Sequence, residues 1–237
     1  MKSPATAARP AWLDPIDTEA ALEDRLSEPT PELIADLKAG AGDILVLGVG
    51  GKMGPSLARL ARRALDAAGQ KVRRVIGVAR FSEPGLKERL EGWGVHTLNA
   101  DLLAPGALAA LPDAPNVVFM AARKFGSTGN ESATWAMNTF LPGLVAQRFT
   151  KSRIVAFSTG NVYPLVPVAG GGCAEADPVA PIGEYAISAL GRERMFEYGS
   201  MQHGTPVAIL RLNYAVELRY GVLLDIAEKV QSGMPID

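Results

Sequence analysis

The sequence predicts an α/β protein built around a doubly wound parallel sheet. From Asp43 onward, short β-branched runs alternate with helical patterns rich in alanine, leucine and arginine. The runs lack polar alternation, which indicates strands buried on both faces, as in a parallel sheet covered by helices on both sides. Successive β-α steps of this kind are typical of a doubly wound sheet.

The predicted elements follow one another in a regular order. Strands are expected at residues 44–49, 72–79, 94–98, 116–121, 153–158 and 206–212. Helices are expected near residues 53–68, 84–91, 105–110, 132–149, 183–202 and 220–232. Residues 43–237 are therefore expected to form one domain.

Residues 1–42 differ from the rest in composition, because they are rich in proline, alanine and acidic side chains. Two short helical patterns lie within them, at 18–26 and 31–39. Thr30 is the expected N-cap of the second, with Pro31 in its first turn. We expect this segment to be a helical appendage packed on the outside of the domain.

Charge and cysteine content exclude several classes of protein. The chain has 24 Lys and Arg against 25 Asp and Glu, so it lacks the positive charge that nucleic-acid binding requires. Cys173 is the only cysteine, so no intrachain disulfide can form. The longest apolar runs fall far short of the roughly 20 residues that cross a bilayer. The N-terminus shows no signal peptide, and we expect a cytoplasmic protein without a membrane partner.

A glycine-rich loop joins the first predicted strand to the first helix of the domain. It consists of Gly48, Val49, Gly50, Gly51, Lys52, Met53 and Gly54. Glycines at this spacing permit a tight turn and let the backbone approach a pyrophosphate, while the helix N-terminus offers free N–H groups to the anion. The alternative is a plain tight turn. A GxxxxGK[ST] phosphate loop is excluded because Met53 follows Lys52.

The end of the second predicted strand bears on the choice of cofactor. An acidic residue there binds the ribose 2′-OH of NAD, whereas an arginine accepts the 2′-phosphate of NADP. Arg80 and Ser82, with Lys52 in the glycine loop, favour NADP, although NAD remains an alternative. Arg80 alone could equally be a solvated loop charge. Asp101 follows the third strand, where it could accept a hydrogen bond from adenine or cap a turn.

Several ordered motifs resemble the extended short-chain dehydrogenase/reductase superfamily, in its branch of NAD-dependent epimerases and dehydratases. The resemblance covers about residues 43–237. The matching residues are the three loop glycines Gly48, Gly51 and Gly54, the pair Asp101-Leu102, the pair Ala121-Ala122, Asn138, the segment Ser158–Tyr163, Pro181 and Tyr185. The pairs Asp101-Leu102 and Ala121-Ala122 are thereby expected to contact the cofactor.

The resemblance implies roles for three residues. Thr159, with Ser158 beside it, corresponds to the hydroxyl that binds the substrate oxygen, and Tyr185 to the general acid/base. A proton-relaying phenol and a hydroxyl donor suit hydride transfer between a carbinol carbon and a nicotinamide. We therefore expect an NAD(P)-dependent oxidoreductase, epimerase or dehydratase acting on a sugar or polyol. The alternative is a non-catalytic NAD(P)-binding sensor or partner subunit.

Two departures from the family pattern favour that alternative. The family places a lysine four residues after the tyrosine, where it binds the nicotinamide ribose and promotes ionisation of the phenol, but this chain has Ala189. Arg192, on the same helix face, or Lys124 could supply the cation, or Arg192 could belong to a solvated polar face. Family members also continue into a substrate-binding lobe, which we expect here to be short or missing.

Three further expectations concern metal, assembly and partners. His96 and His203 are not accompanied by a metal-ligand pattern, so no metal site is expected. Trp135, Met137 and Phe140 could line the seam of a homodimer or simply face the sheet. The expected partner is a small molecule, a sugar or sugar derivative.

Overall fold

A computed structural model describes residues 15–124, 126 and 128–236 of the chain. Six strands form one parallel sheet: β1 (Ile44–Leu47), β2 (Val75–Ala79), β3 (His96–Asn99), β4 (Asn116–Phe119), β5 (Arg153–Thr159) and β6 (Val207–Leu212). The helices are α1 (Glu19–Leu26), α2 (Pro31–Ala39), α3 (Gly54–Ala67), α4 (Leu86–Gly92), α5 (Glu131–Trp135), α6 (Leu141–Arg148), α7 (Glu184–His203) and α8 (Val222–Ser232).

The strand order is β3-β2-β1-β4-β5-β6, which confirms the predicted doubly wound sheet. The chain runs outward from β1 to β3 on one side and then returns to place β4 on the other side of β1. The carboxyl ends of β1 and β4 therefore flank the topological switch point, where ligands bind in folds of this type.

Alternate residues of the central strand pack on opposite faces of the sheet. Leu45 and Leu47 belong to a core cluster with Phe119 of β4 and Phe196 of α7. The rings of Phe119 and Phe196 meet edge to face, with centroids 5.3 Å apart. Ile44 and Val46 belong to a second cluster, which includes residues of α3 and α4. This two-sided burial explains why β1 reads as an apolar run, whereas the edge strands β3 and β6 are largely exposed or half-buried.

The expected helix at 105–110 is wrong. Residues 101–111 form successive turns, in which Ala104 N donates to Asp101 O and Ala107 N to Ala104 O. Gly106 has a φ of +77°, which an α-helix does not accommodate. Leu108 and Leu111 still reach the core, so the segment buries its apolar side chains without forming a helix.

The expected helix at 132–149 is interrupted by a π-helical turn over Ala136–Phe140, between α5 and α6. Pro142 has no N–H to donate to the carbonyl four residues earlier, and its ring would collide with that carbonyl. The wider turn avoids the conflict. It also carries the side chain of Asn138 into the buried interior.

Helices α1 and α2 lie at the two N-terminal patterns, and α2 begins at its expected cap Thr30. Thr18 Oγ1 accepts a hydrogen bond from Ala21 N, and Thr30 Oγ1 accepts one from Leu33 N. In the part of the chain described here, no helix is long and apolar enough to cross a membrane. The same residues contain no group of three or more His, Cys, Asp or Glu side chains arranged to hold a metal.

A carboxylate joins β1 and β2 at the end of the sheet opposite the switch point. Asp43 accepts hydrogen bonds from Arg74 N at 2.7 Å and from Arg74 Nε at 2.8 Å. Partial burial alone would raise the pKa of Asp43, but the hydrogen bonds and charge of Arg74 outweigh it and lower that pKa.

Asp43→Asn is expected to lower the free energy of unfolding by about 1 kcal/mol at pH 7. The folded-state pKa of Asp43 is depressed, so its contribution to stability is present above about pH 4, the ordinary carboxyl pKa being near 4. That contribution is lost as pH falls through the folded-state pKa. Urea titrations at pH 7 and pH 3 should therefore show a smaller difference between variant and wild type at the lower pH. Asp66→Asn, which removes a half-exposed ion pair with Arg62, should change stability less. An equal effect of Asp43→Asn at both pH values would contradict the account.

Candidate functional site

A crevice of about 380 Å³ opens at the carboxyl ends of the central strands, at the switch point. The glycine loop, the end of β2, the start of the turns after β3 and the end of β4 all line it. Of the residues predicted to bind a cofactor, it contains Gly48, Gly50, Gly51, Arg80, Asp101, Leu102, Ala121 and Ala122. The fold thus gathers residues from four separate segments at one site.

The glycine loop is packed too tightly for side chains at two of its positions. A Cβ at Gly48, whose φ is +88°, would lie 2.5 Å from Ala121 N. A Cβ at Gly54 would lie 2.2 Å from Val49 O. Helix α3 begins at Gly54, and Met53 at its N-cap forms no side-chain hydrogen bond with the helix. This packing holds the start of α3 against the residue that follows β1, and the loop backbone against the segment that follows β4.

Lys52, Met53 and Gly54 are not among the residues that line the crevice. Gly54 is buried beneath the loop, whereas Lys52 is exposed. The Lys52 ammonium lies 4.5 Å from the centre of the Tyr220 ring, in the segment that follows β6. The sequence indicated no partner for Lys52, because Tyr220 lies far from it along the chain.

The end of β2 presents a cation to the crevice. Arg80 is exposed, and none of the described residues forms an ion pair with its guanidinium. Phe81, which follows, has a φ of +48°, an uncommon conformation for a bulky residue. Asp101, across the crevice, accepts a hydrogen bond from Leu103 N at 3.0 Å through one carboxylate oxygen. It therefore caps a turn and retains its second oxygen for another donor.

The two hydroxyl residues at the end of β5 differ in their surroundings. Ser158 is 6% exposed, and its Oγ donates to Glu193 Oε1 at 2.5 Å. Arg211 of β6 donates to the same carboxylate, with Nη2 2.7 Å from Oε2. Thr159 Oγ1 accepts from Asn161 N at 3.2 Å. The hydroxyl of Ser158 is thus bound to a buried carboxylate, and that of Thr159 lies at the strand end.

Glu193 and Arg211 were missed by the sequence analysis. Glu193 is 1% exposed and lies on the same face of α7 as the buried residues Ala186, Ala189 and Phe196. A single carboxylate on an otherwise apolar helix stripe was the available signal, because such a group needs a buried partner. Arg211, in the middle of an apolar strand, was the matching signal.

Tyr185 lies in the first turn of α7 and is partly buried. The Lys124 ammonium lies 5.9 Å from the centre of the Tyr185 ring. Ala189, where the family pattern places a lysine, is fully buried. Lys124 therefore approaches Tyr185 from the loop after β4.

The alternative of a solvated Arg192 is wrong, because this residue is only 4% exposed. Its Nη1 donates to Phe157 O at 2.6 Å, its Nη2 donates to Asn138 Oδ1 at 3.0 Å, and its Nε is buried without a partner among the described residues. Burial lowers the pKa of Arg192 to about 10, although electrostatic interactions with Tyr185 and Glu193 oppose the shift. It remains a cation at neutral pH.

Asn138 connects this arginine to the elements around it. Its Oδ1 accepts from Arg123 N at 2.8 Å, and its Nδ2 donates to Arg123 O at 2.9 Å and to Ser188 Oγ at 3.0 Å. Ser188 Oγ in turn donates to Tyr185 O. The amide therefore ties the loop after β4 to the first turns of α7.

The three residues expected at a homodimer seam lie in two separate places. Met137 lines the crevice and packs against the core. Trp135 and Phe140 line a separate, shallow groove together with Met195 of α7. Homodimerisation remains a prediction.

The fold is that of a doubly wound α/β protein with a crevice at its switch point, and the comparison with known families identifies the class more closely. The model of the NAD dependent epimerase/dehydratase family matches residues 44–216. The chain belongs to this family, which confirms the resemblance. The sequence matches none of the individually curated proteins with which it was compared.

Solved structures agree with the fold. UDP-glucuronic acid 4-epimerase from Bacillus cereus, in complex with NAD, is 19% identical with a TM-score of 0.65, over 81% of this chain and 64% of that one. The Campylobacter jejuni UDP-Glc/GlcNAc 4-epimerase is 24% identical with a TM-score of 0.60, over 72% and 53%. Bordetella bronchiseptica WbmG, in complex with NAD, is 19% identical with a TM-score of 0.63, over 83% and 62%. The chain spans less than two thirds of each.

Gly54→Ala is expected to lower the free energy of unfolding by about 1–3 kcal/mol, because the added Cβ collides with the backbone of Val49. Gly92→Ala is the matched control. It also alters a helical glycine, but its Cβ would meet nothing within 4 Å. Thermal and urea unfolding of both variants measures the difference. Equal stability of the two variants would show that the loop tolerates a side chain.

Proposed function

We propose that the protein is an NADP-dependent enzyme that epimerises, dehydrates or oxidises a sugar or sugar derivative. The observation that carries this proposal is the crevice at the switch point, lined on one side by the glycine loop and on another by Arg80. Two structures of similar fold support a nucleotide cofactor and a sugar-nucleotide substrate: the Bacillus cereus epimerase in complex with UDP-glucuronic acid and NAD, and MoeE5 in complex with UDP-glucose and NAD.

The residues around the crevice fit a dinucleotide. The backbone of Gly48, Gly50 and Gly51, which lines the crevice, and the positive end of the α3 dipole would hold the diphosphate. The guanidinium of Arg80, with Ser82 beside it, would bind the 2′-phosphate that distinguishes NADP from NAD. The second oxygen of Asp101 would accept from the adenine amino group, and the apolar side chains of Leu102, Ala121 and Ala122 would form the walls.

The bound nicotinamide would supply the hydride acceptor and donor. Thr159, at the carboxyl end of β5, would bind the substrate oxygen through its hydroxyl. Tyr185 would remove or return the proton at that oxygen through its phenol. Ser158 would act indirectly, because its hydroxyl is bound to Glu193 and the Glu193–Arg211 pair fixes the strand end behind Thr159.

Arg192 would provide the positive charge that the missing lysine provides elsewhere in the family. A helical side chain leans toward the N-terminus, so an arginine seven residues after Tyr185 reaches back over the turn that contains Ala189. The shared contact with Asn138, which also binds Ser188, supports this placement. No carboxylate among the described residues forms an ion pair with Arg192, so its charge is available to a phenolate.

The second candidate is a non-catalytic dinucleotide-binding subunit, which Ala189 favours. Turnover of any sugar nucleotide with the cofactor would exclude it. Tight cofactor binding without hydride exchange across a broad panel of sugars and polyols would favour it instead.

Titration with NADPH and NADH, followed by nicotinamide fluorescence, is the first test of the proposal. NADPH is expected to bind more tightly, and Arg80→Ala should weaken NADPH about tenfold while leaving NADH nearly unchanged, because only NADPH carries the 2′-phosphate. Arg89→Ala is the control, since it removes a nearby exposed cation paired with Glu83. If wild type binds neither cofactor, the proposal fails.

Substitutions at Tyr185, Arg192 and Ala189 test the catalytic roles proposed for Tyr185 and Arg192. With UDP-glucose and UDP-glucuronic acid as substrates, Tyr185→Phe should lower turnover by about a hundredfold or more. Arg192→Met should lower it about tenfold, and Arg192→Lys less, with thermal unfolding measured in parallel to separate loss of fold. Ala189→Lys should leave turnover unchanged or lower, because its ammonium would face the buried guanidinium. A large gain in turnover from Ala189→Lys would overturn the role given to Arg192.

A further inference from the structure

A set of polar contacts closes into a ring at the N-terminal end of α3. It starts within α3, where Ser56 Oγ donates to Glu23 Oε2 of α1 at 3.1 Å. Glu23 is paired with Arg219, and Arg219 Nε donates to Glu217 Oε1 at 2.9 Å. Glu217 N donates to Tyr220 O at 3.1 Å, and the Tyr220 ring contacts Lys52, two residues before α3 begins. We call the segment Glu217–Tyr220 together with Glu23 the brace.

The brace is anchored firmly on the outside of the domain. Glu23 is 7% exposed and lies on the side of α1 that contacts α3. On either side of it, Arg59 pairs with Asp24, and Arg63 donates to Asp24 O and to Ser27 Oγ. The N-terminal helix is therefore fixed to α3 by charged contacts, and Glu23 has little freedom to move.

Arg219 forms ion pairs with two carboxylates, those of Glu23 and Glu217. Burial lowers the pKa of Arg219, but the hydrogen bonds to Glu217 and Glu23 outweigh it and raise that pKa, so the arginine stays charged. Without Arg219, the carboxylates of Glu217 and Glu23 would be unpaired beside the positive end of the α3 dipole. Two unpaired negative charges there would repel any anion that binds at the start of α3.

The ring of Tyr220 presents an uncharged face to Lys52. Burial, together with the charge of Glu217, raises the pKa of Tyr220, so the phenol stays protonated at neutral pH. The turn that holds it is tight, because Gly221 has a φ of +109° and a Cβ there would lie 2.8 Å from Val216 Cγ1. An ammonium over an aromatic face is attracted to the ring and keeps its N–H donors free for other partners.

We propose that the brace positions the Lys52 ammonium so that it binds the diphosphate of the dinucleotide, with Tyr220 as the positioning residue. The proposal rests on the proposed function, because it assigns the diphosphate to the start of α3. Lys52 directly follows Gly51, which lines the crevice. A free lysine loses much side-chain freedom on binding an anion, whereas one already held against Tyr220 loses less. The brace thus gives the N-terminal helix α1 a part in cofactor affinity.

A double-mutant cycle tests whether Tyr220 acts through Lys52. The probes are ADP, which has the diphosphate without the nicotinamide, and NADPH, with dissociation constants measured by calorimetry on the full chain. Lys52→Met should weaken both about tenfold and Tyr220→Leu about threefold. The double variant should bind no more weakly than Lys52→Met alone, because Tyr220 has no effect once the ammonium is gone.

Two further variants separate positioning from general damage to the fold. Tyr220→Phe keeps the ring and should bind like wild type, and Tyr198→Leu alters an exposed tyrosine of α7 and should have no effect. The dependence of ADP affinity on salt should become shallower in both Lys52→Met and Tyr220→Leu.

Two negative results have different meanings. If wild type binds ADP and NADPH but the effects of Lys52→Met and Tyr220→Leu add fully, or Tyr220→Leu has no effect, the brace does not position Lys52 and the proposed function stands. If wild type binds neither ADP nor a dinucleotide, the proposed function fails and the inference fails with it.

Discussion

The site depends on the tight packing of Val49 between Gly77 of β2 and Gly54 at the start of α3. Val49 is fully buried directly after β1, and it touches glycines on two sides. A Cβ at Gly77 of β2 would lie 2.8 Å from Val49 Cγ1, and one at Gly54 would lie 2.2 Å from Val49 O. Because both neighbours lack side chains, α3 begins close to the sheet. The loop that leads into α3 then lines the crevice with Gly50 and Gly51, which carry no side chains.

Two adjacent residues of α7 carry opposite charges into the interior. Glu193 binds Ser158 and Arg211 and so holds the end of β5 against β6. Arg192 binds Phe157 O and Asn138 and so holds the end of β5 against the turn before α6. Buried charges need partners, and each of these two side chains binds a residue near the carboxyl end of β5. The interactions that stabilise the strand ends therefore also decide which polar atoms remain for a substrate.

The N-terminal helices contribute more than a cover for the domain. Helix α1 packs on α3 and supplies Glu23, which joins Arg219 and thereby links the two ends of the described chain. The contact connects residues far apart in sequence at a position next to the glycine loop. The region that would hold the cofactor is thus bounded by segments from before β1 and after β6.

The sequence by itself determined the sheet and, apart from Lys52, Met53 and Gly54, placed the predicted cofactor residues correctly at the crevice. Apolar runs of β1, β2 and β4 predicted buried parallel strands, and the spacing of Gly48, Gly51 and Gly54 predicted the turn, because both depend on local chain geometry. The predicted helix at 105–110 is wrong for the converse reason: Leu108 and Leu111 are buried as the pattern requires, but successive turns bury them without a continuous helix.

Only the tertiary structure decided where the long charged side chains go. Arg192 could lie in solvent or in the interior, and Lys52 could point toward any neighbour, because a long side chain reaches across elements that are distant in sequence. Contact with Asn138 in the first case and with Tyr220 in the second settles the position. These partners come from the packing of α7 against the π-helical turn and from the path of the chain after β6, neither of which any local pattern encodes.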